Sequence, residues 1–211
     1  MPAPAKWMWV IGGPNGAGKT TVASPFFTKK YPEIPRLNAD DRTIELRRQF
    51  PDKPQGELNL MAAQQIDVEV DQHIEAGKSF YVETVLSTSK YRAPVIRAKG
   101  RGFRFGLLYV SIFPPTLSPF RVSLRVAKGG HAVKPETAIA RYERSHKQLR
   151  WFGRQADELV IFDNSNQDGK PILIAYKEAG KRLVHVAKNV NPAADRAIAG
   201  IRKKKYLEQH L

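Results

Sequence analysis

Cysteine is absent from the 211-residue sequence. Its absence excludes a disulfide framework, a thiolate metal site and a cysteine nucleophile. The sequence also has no apolar run near the ~20 residues that a membrane span requires. The short apolar stretch near its N-terminus runs directly into a glycine-rich segment and does not have the form of a signal peptide. We therefore expect a soluble cytoplasmic protein that does not partner with a membrane.

Acidic residues are scarce relative to basic ones, with 20 Asp and Glu against 35 Lys and Arg, a formal charge of +15. Such a balance attracts polyanions, including nucleic acid, and suits a substrate that carries phosphates. Part of the excess lies at the C-terminus, in Arg196 and residues 202–205. That run has no aromatic stacking platform beside it, which favours a solvated helix end, where cations suit the helix dipole.

A phosphate-binding loop follows the first apolar run, residues 7–11. The segment fits G-x-x-x-x-G-K-[ST], in which glycines let backbone N–H groups surround an anion and the next helix directs its positive end at it. A lysine at this position reaches the β- and γ-phosphates, and the hydroxyl that follows ligates Mg²⁺. The predicted nucleotide-binding residues here are Gly13, Pro14, Asn15, Gly16, Ala17, Gly18, Lys19, Thr20 and Thr21.

Periodicity and turn signals predict an α/β fold of the P-loop NTPase class. Strands are expected at 34–37, 79–84, 105–113 and 158–162 in addition to the first, giving a parallel sheet of about five strands with helices on both faces. Helices are expected at 21–30, 57–76 and 87–99, among others. The apolar face of the 57–76 helix would consist of Leu60, Ala63, Ile66, Val70 and Ile74. A hairpin at 172–176 and 183–186 would decorate the sheet edge, followed by a basic helix over 191–209.

Two carboxylates follow the second strand, in the segment Asn38-Ala39-Asp40-Asp41. The carboxyl ends of strands are where α/β sheets bind ligands, so one of them can accept a proton from a substrate hydroxyl. The alternative is an N-cap for a helix beginning near Arg42. Spacing alone does not choose between these roles, and each Asp can hold one.

Glu83 and Thr84 end the third strand. An acid on a strand near a phosphate loop can hold Mg²⁺ or bind substrate. The alternative is a cap for the next helix. The phosphate loop favours the functional role, because it already requires an acid on a neighbouring strand.

Arginines flank a Gly-Gly break at 129–130 and suggest a helical lid over about 116–153. Arg121 and Arg125 share one helix face, and Arg141 and Arg144 follow in the next helix. Arginine forks fit phosphate oxygens, and a hinged lid excludes water. The alternative is two surface helices with solvated arginines, while His131 by itself indicates only a structural hydrogen bond. Residues 163–165, after the last parallel strand, would contact the adenine ring or simply form a turn.

Six segments in this order resemble the zeta-toxin-like P-loop kinases, especially the small stand-alone bacterial branch. They are GPNGAGKTT at 13–21, NADD at 38–41, ETVLS at 83–87, RVSLRVAKGGHAV at 121–133, RYERS at 141–145 and FDNS at 162–165. The resemblance covers roughly residues 7–176, and the segments at 83–87 and 121–133 are more specific than the phosphate loop. It implies one kinase domain over residues 1–211 that uses ATP or GTP with Mg²⁺.

The resemblance also implies residue roles. Lys19, Asp40 and Arg125 would be catalytic, with Asp40 as the base and Asp41 as the alternative. Arg121 and Arg125 would contact nucleotide, and Thr20 and Glu83 would hold Mg²⁺. The implied substrate-binding residues are Asp41, Glu83, Thr84, His131, Arg141 and Arg144.

One departure from the family pattern concerns the acceptor. Zeta toxins carry a second phosphate-binding arginine shortly after the first, whereas residues 130–133 of this sequence contain none, so Arg121, Arg141 or Arg144 would supply that charge. Known zeta toxins phosphorylate a UDP-N-acetylsugar hydroxyl, and the expected activity is γ-phosphoryl transfer to a hydroxyl of a small molecule. The alternatives are a polynucleotide 5′-kinase or a nucleotide-dependent nucleic-acid-binding module. An antitoxin protein, encoded elsewhere, is a further expected partner.

Overall fold

The computed structural model describes residues 5–127, 133–166 and 170–202. The strands are β1 (Trp7–Gly12), β2 (Arg36–Leu37), β3 (Phe80–Thr84), β4 (Arg104–Ser111), β5 (Glu158–Asp163), β6 (Ile172–Lys177) and β7 (Val184–His185). The helices are α1 (Lys19–Lys30), α2 (Ala39–Gln49), α3 (Gln55–Glu75), α4 (Arg92–Gly100), α5 (Leu117–Val126), α6 (Pro135–Gln155) and α7 (Pro192–Arg202). Among the described helices, none is both long and apolar enough to cross a membrane.

The strands form one sheet in the order β2-β3-β1-β4-β5-β6-β7. The pairs from β2 to β5 are parallel, and β6 and β7 add to the edge in antiparallel fashion. The α/β class is thus confirmed, with seven strands in the described sheet rather than about five, because the predicted hairpin pairs directly with β5.

Alternate side chains of β1 enter two separate cores. Trp9 and Ile11 pack with Phe27 of α1 on one face, while Met8 and Val10 pack on the other with residues of α3, α4, α6 and α7. This burial on both faces explains why β1 and β4 read as continuous apolar runs. The fold therefore holds β1, and the loop that follows it, at the centre of the molecule.

The chain changes direction across the sheet at β1. After β1 it builds β2 and β3 on one side, and after β3 it crosses to β4 on the other side. Ligands of open α/β sheets bind at such a switch point, beyond the carboxyl ends of the strands. Gly12 ends β1 at this place, so the phosphate-loop sequence lies where the topology favours a site.

Several predicted boundaries differ from those observed. Helix α4 begins at Arg92 instead of 87, and α7 is described only to Arg202. In α3 the predicted Ile66, Val70 and Ile74 are buried, but the buried face begins with Leu58 and Ala62. Leu60 is 60% exposed, so its expected place in the core was wrong. The prediction assigned exposed and buried positions to one face, because apolar residues also occupy the solvent side in the first turns of this helix.

Candidate functional site

The loop between β1 and α1 has the backbone shape of a phosphate cradle. Gly16 and Gly18 have φ of 71° and 77°, in the left-handed region that favours glycine. Gly13 has φ of 149°, and a Cβ there would lie 2.2 Å from the Val110 carbonyl oxygen. The glycines of the motif are therefore required by this loop geometry as well as by any bound anion.

Side chains from α5 and from the segment after β5 brace this loop. Ser118 Oγ donates to the Asn15 carbonyl at 2.8 Å, and Asn164 Nδ2 donates to the Ala17 carbonyl at 2.9 Å. A Cβ on Gly16 would lie 2.9 Å from Arg121 Cβ. Sequence analysis missed Ser118, and it expected Asn164 at the adenine ring or in a turn rather than against the loop. No local pattern indicates that these residues contact a loop more than a hundred residues earlier in the chain.

Lys19 folds back over the loop that precedes it. Its Nζ donates to the Gly13 and Pro14 carbonyls, at 3.0 and 3.1 Å. Burial lowers the pKa of Lys19, and the negative charges of Glu83 and Asp40 oppose that effect. Nucleotide phosphates at this place would give the buried ammonium a further anionic partner, so Lys19 fits a nucleotide.

Thr20 and Glu83 form a contact between α1 and the end of β3. Thr20 Oγ1 lies 3.0 Å from both carboxylate oxygens of Glu83, and Arg36 Nη1 lies 3.4 Å from Oε2. A hydroxyl and one carboxylate fit Mg²⁺, which commonly takes one or two protein oxygens and completes its shell with water and phosphate. The described residues contain no cluster of three or more His, Asp or Glu that could hold a metal by itself.

The carboxylates at the start of α2 have different surroundings. Asn38 caps the helix, because its Oδ1 accepts from Asp40 N at 2.7 Å, so neither aspartate is the cap. Asp41 pairs with Arg36. Asp40 instead lines a cavity with Lys19 and Glu83.

This cavity, hereafter the phosphate-loop cavity, has a volume of about 550 Å³. It lies between the loop, the ends of β2 and β3, and the described helices on either side of the predicted hinge. Of the predicted residues, the structure brings together around it Asn15, Gly16, Lys19, Asp40, Glu83, Thr84, Arg125 and Arg141. Thr84 also accepts a hydrogen bond from Leu86 N at 3.2 Å, which turns the chain beyond β3.

The remaining predicted residues lie elsewhere. Arg121 points to the β5 exit, where it donates to the carbonyls of residues 164–166 at 2.7 to 3.3 Å. Arg144 is exposed and does not line the phosphate-loop cavity. On α6 it lies between Tyr142 and Ser145, which face the core, and its own side chain points to solvent. Thr21 is exposed on α1. His131 and the predicted Gly-Gly hinge lie outside the described residues.

Other side chains complete the cavity wall and were not predicted. They belong to α3, the segment before α4, and the start of α6: Asn59, Lys90, Tyr91, Lys134 and Thr137. Lys90 also pairs with Asp67 at 2.7 Å. None of these residues belongs to a motif, so only the fold places them beside the loop.

Comparisons with known proteins place this arrangement in a family. The model of the Zeta toxin family matches residues 2–169. No curated protein matches the chain. Among solved structures, the AvrRxo1-ORF1:-ORF2 complex with ATP has a TM-score of 0.68 at 14% identity, with 97% of this chain and 66% of that chain covered.

A second similar structure comes from the PezAT chromosomal toxin–antitoxin system of Streptococcus pneumoniae. Its TM-score is 0.57 at 14% identity, and the match covers 82% of this chain and 71% of that one. The present chain thus spans just under two thirds of the AvrRxo1 chain, and these likenesses concern the fold. The family match extends over most of the sequence and includes the loop, β3 and the start of α6, so the chain belongs to the zeta toxin family.

Proposed function

We propose that this protein is a kinase that transfers the γ-phosphoryl group of ATP or GTP to a hydroxyl group of a small molecule. One observation carries the proposal: Lys19 of the phosphate loop and Asp40, a carboxylate free of any capping role, line the same cavity of about 550 Å³. Cavities of ~300 to 1,000 Å³ are typical of small-molecule sites. Phosphoryl transfer needs little beyond positioning and charge neutralisation, and this cavity offers both.

The nucleotide would bind with its phosphates in the loop of residues 13–18. The N–H groups at the start of α1 and the ammonium of Lys19 would then neutralise phosphate charge. Thr20 and Glu83 would hold Mg²⁺, which when bound supplies positive charge to the phosphate oxygens. Thr20 already donates to Glu83, so these two residues need little rearrangement to serve as ligands.

The acceptor would lie on the Asp40 side of the cavity. Asp40 is the residue that would orient the hydroxyl and take its proton, since Asp41 is paired with Arg36 and does not line the cavity. Glu83 and Thr84 would contact the acceptor from the end of β3. The family resemblance supports a UDP-N-acetylsugar as the first acceptor to test.

Two arginines would stabilise the charge of the transferring group. Arg125 comes from α5 and Arg141 from α6, and both line the phosphate-loop cavity. Arg141 therefore suits the second positive charge, which the family places in a segment where this sequence has no arginine. Arg121 instead holds the β5 exit against the loop, and its role would be to position the loop.

An antitoxin protein and a single catalytic domain belong to the same proposal. The PezAT structure is described as a toxin–antitoxin system, which supports testing for such a partner. The family match ends at residue 169, yet Ala194, Ile198 and Ile201 of α7 pack into the core beside β4. The C-terminal segment is therefore best treated as part of the same domain.

The test is transfer of label from γ-³²P-ATP or γ-³²P-GTP, with Mg²⁺, to UDP-N-acetylglucosamine. Asp40→Asn should keep nucleotide affinity and lower kcat about a hundredfold or more, as expected for loss of a general base. Asp41→Asn is the matched control and should change kcat little. An equal loss in both variants, or a loss in Asp41→Asn alone, would contradict the assignment of the base.

Other acceptors are separate arms of the same assay. Label on the 5′-end of an oligonucleotide would replace the small-molecule acceptor with a polynucleotide. Release of free phosphate without any labelled acceptor, across sugars, nucleosides and nucleic-acid ends, would contradict a kinase. Lys19→Ala should abolish turnover in every arm, and full activity in that variant would refute the phosphate-loop assignment.

A further inference from the structure

A groove between α6 and α7 carries a concentration of positive charge away from the phosphate loop. Its first part is a cavity of about 260 Å³ lined by Lys147, Arg150 and Arg196, and Glu143 is the one carboxylate among the described residues that line it. Lys147, Arg150 and Arg196 are exposed and form no ion pair with a described residue. We call this feature, together with its continuation described next, the α6–α7 groove.

The second part of the α6–α7 groove lies one helical turn further along. This cavity has a volume of about 480 Å³ and is lined by five cations: Arg154, Lys177, Lys181, Arg182 and Arg202. No carboxylate of the residues that the structure describes lines it. Lys181 pairs with Glu178, while Arg182 forms no ion pair with a described residue.

The two helices pack closely between the residues that line the two cavities, so both cavities follow the same α6–α7 contact. A Cβ on Gly153 would lie 2.4 Å from Ile201, and a Cβ on Gly200 would lie 2.9 Å from Arg150. Arg154 Nη2 donates to the Gly200 carbonyl at 2.7 Å. Arg150 and Arg154 thus lie against the same residue of α7, and the groove runs for ~18 Å along α6 at 1.5 Å per residue.

Charge on another helix pair is arranged differently. Carboxylates of α3 form ion pairs with cations at the end of α4, namely Glu75 with Arg101 at 2.5 Å and Asp71 with Arg97. Among the described residues, three cations line the first part of the α6–α7 groove and five line the second, whereas Glu143 is the one carboxylate that lines it and Glu178 pairs with Lys181 at its edge. Like charges within a Debye length of ~8 to 10 Å repel, so this surface gains stability when an anion binds.

The density of charge identifies the kind of anion. A nucleic-acid strand carries a charge on every repeat unit, whereas a peptide would have to consist almost wholly of Asp and Glu to match eight cations in ~18 Å. Five of the eight are arginines, whose planar forks fit phosphate oxygens. Adjacent helices lie only ~8 to 10 Å apart, so the groove admits one extended strand rather than a duplex.

We propose that the α6–α7 groove binds a single strand of nucleic acid through its phosphate backbone. Binding is independent of base sequence, because the described groove offers exposed cations, while the rings that line it, Tyr142 and His146, are buried and cannot stack with bases. It is also independent of the nucleotide at the phosphate loop, since the lining residues of the groove and of the phosphate-loop cavity do not overlap.

The test measures fluorescence anisotropy of a labelled oligouridylate of about twelve nucleotides, within the usual site sizes of single-strand binders. The protein is used without nucleotide or Mg²⁺, at salt between about 50 and 200 mM. Contact with about four phosphates predicts a slope of log K against log salt near −3. Arg150→Gln/Arg196→Gln should weaken binding roughly 10- to 100-fold at the lowest salt and reduce the slope by about 1.4.

The matched control is Arg97→Gln/Arg101→Gln, which removes the same charge from the paired surface of α4. It should bind the strand nearly as well as the unmodified protein. A second groove variant, Lys147→Gln/Arg182→Gln, guards against a folding defect in the first. Lys19→Ala should bind normally, which separates the groove from the proposed kinase site.

Five results would overturn the proposal. The first four are no binding at low salt, equal weakening in groove and control variants, loss of binding in Lys19→Ala, and full competition by polyglutamate of matched charge. The fourth result would mean that the groove accepts acidic protein equally well. Preference for anionic vesicles over the strand would likewise replace nucleic acid with a membrane surface.

Discussion

Acid should destabilise this protein through His146, a buried histidine on α6. Its ring is 7% exposed, with Nδ1 3.0 Å from the Tyr142 carbonyl and Nε2 2.8 Å from Ser111 Oγ. Because a carbonyl only accepts, Nδ1 carries the proton and Nε2 accepts from Ser111. Burial lowers the pKa of His146 to about 4, the Arg196 charge also lowers it, and the Tyr142 carbonyl and Asp163 oppose the shift.

The sign and size of the effect follow from linkage. The unfolded histidine has a pKa of about 6.5, so between that value and about 4 the unfolded state binds the additional proton. The free energy of unfolding therefore falls as the pH decreases from about 6.5 to about 4. Above pH 6.5 the histidine is neutral in both states, and its titration does not change the free energy of unfolding. Each pH unit corresponds to ~1.4 kcal/mol, so His146 accounts for a loss of about 2.5 kcal/mol at about pH 4.5.

The assay is urea unfolding at neutral pH and at about pH 4.5, with His146→Gln as the comparison. Carboxylates also gain protons in acid, and they do so in both proteins. The difference between the two drops in free energy therefore isolates His146. Equal drops in both proteins, or a ring that titrates near 6.5 by NMR, would refute the reasoning.

Three further predictions concern single side chains. Gly106→Ala should lower the free energy of unfolding by ~3 kcal/mol or more in a thermal melt, because the new Cβ would lie 2.2 Å from the buried ring of Trp9; an unchanged melting temperature would contradict this. Gly13→Ala should weaken nucleotide binding, measured by calorimetry, because its Cβ would meet the Val110 carbonyl at 2.2 Å and cannot be relieved by rotating a side chain. Asn38→Ala should cost ~1 kcal/mol by removing the cap of α2, and a urea midpoint equal to that of the unmodified protein would exclude the capping role.

The sequence contains enough local information to predict the loop and the strands around it. Residues 13–20 require tight backbone curvature, and the apolar runs of β1 and β4 require burial on both faces. Both requirements act within about ten residues. The sequence analysis gives no order for these strands, and the switch at β1 is seen only in the structure.

Roles that depend on distant partners could not be predicted. Asn38, Asp40 and Asp41 lie within four residues of one another, and only the cap hydrogen bond, Arg36 and the cavity distinguish their roles. The same holds for the arginines of α5 and α6. Arg141 and Arg144 satisfy the same pattern, yet one lines the cavity and the other is exposed, because helix rotation relative to the core decides which arginine lines it.

The C-terminal segment has contacts with the rest of the fold that its sequence does not predict. It reads as a hairpin and a basic helix added to the edge, and the family match stops before it. Yet Asn191 caps α7 by accepting from the N–H groups of Ala193 and Ala194, both at 3.1 Å. Its amide nitrogen donates to Ser111 at 2.8 Å and Asp163 at 2.7 Å.

These contacts connect α7 to the phosphate loop through the end of β5. Asp163 is 2% exposed and accepts hydrogen bonds from Asn191 and from the hydroxyl of Ser165. The bond from Ser165 fixes the turn of residues 163–165. Asn164, inside that turn, donates to the Ala17 carbonyl of the loop. A buried carboxylate that loses a partner carries a desolvation cost, so the turn depends on Asn191 to keep its shape. The segment beyond the family match therefore acts as a support for the loop, because the position of Asn164 depends on it.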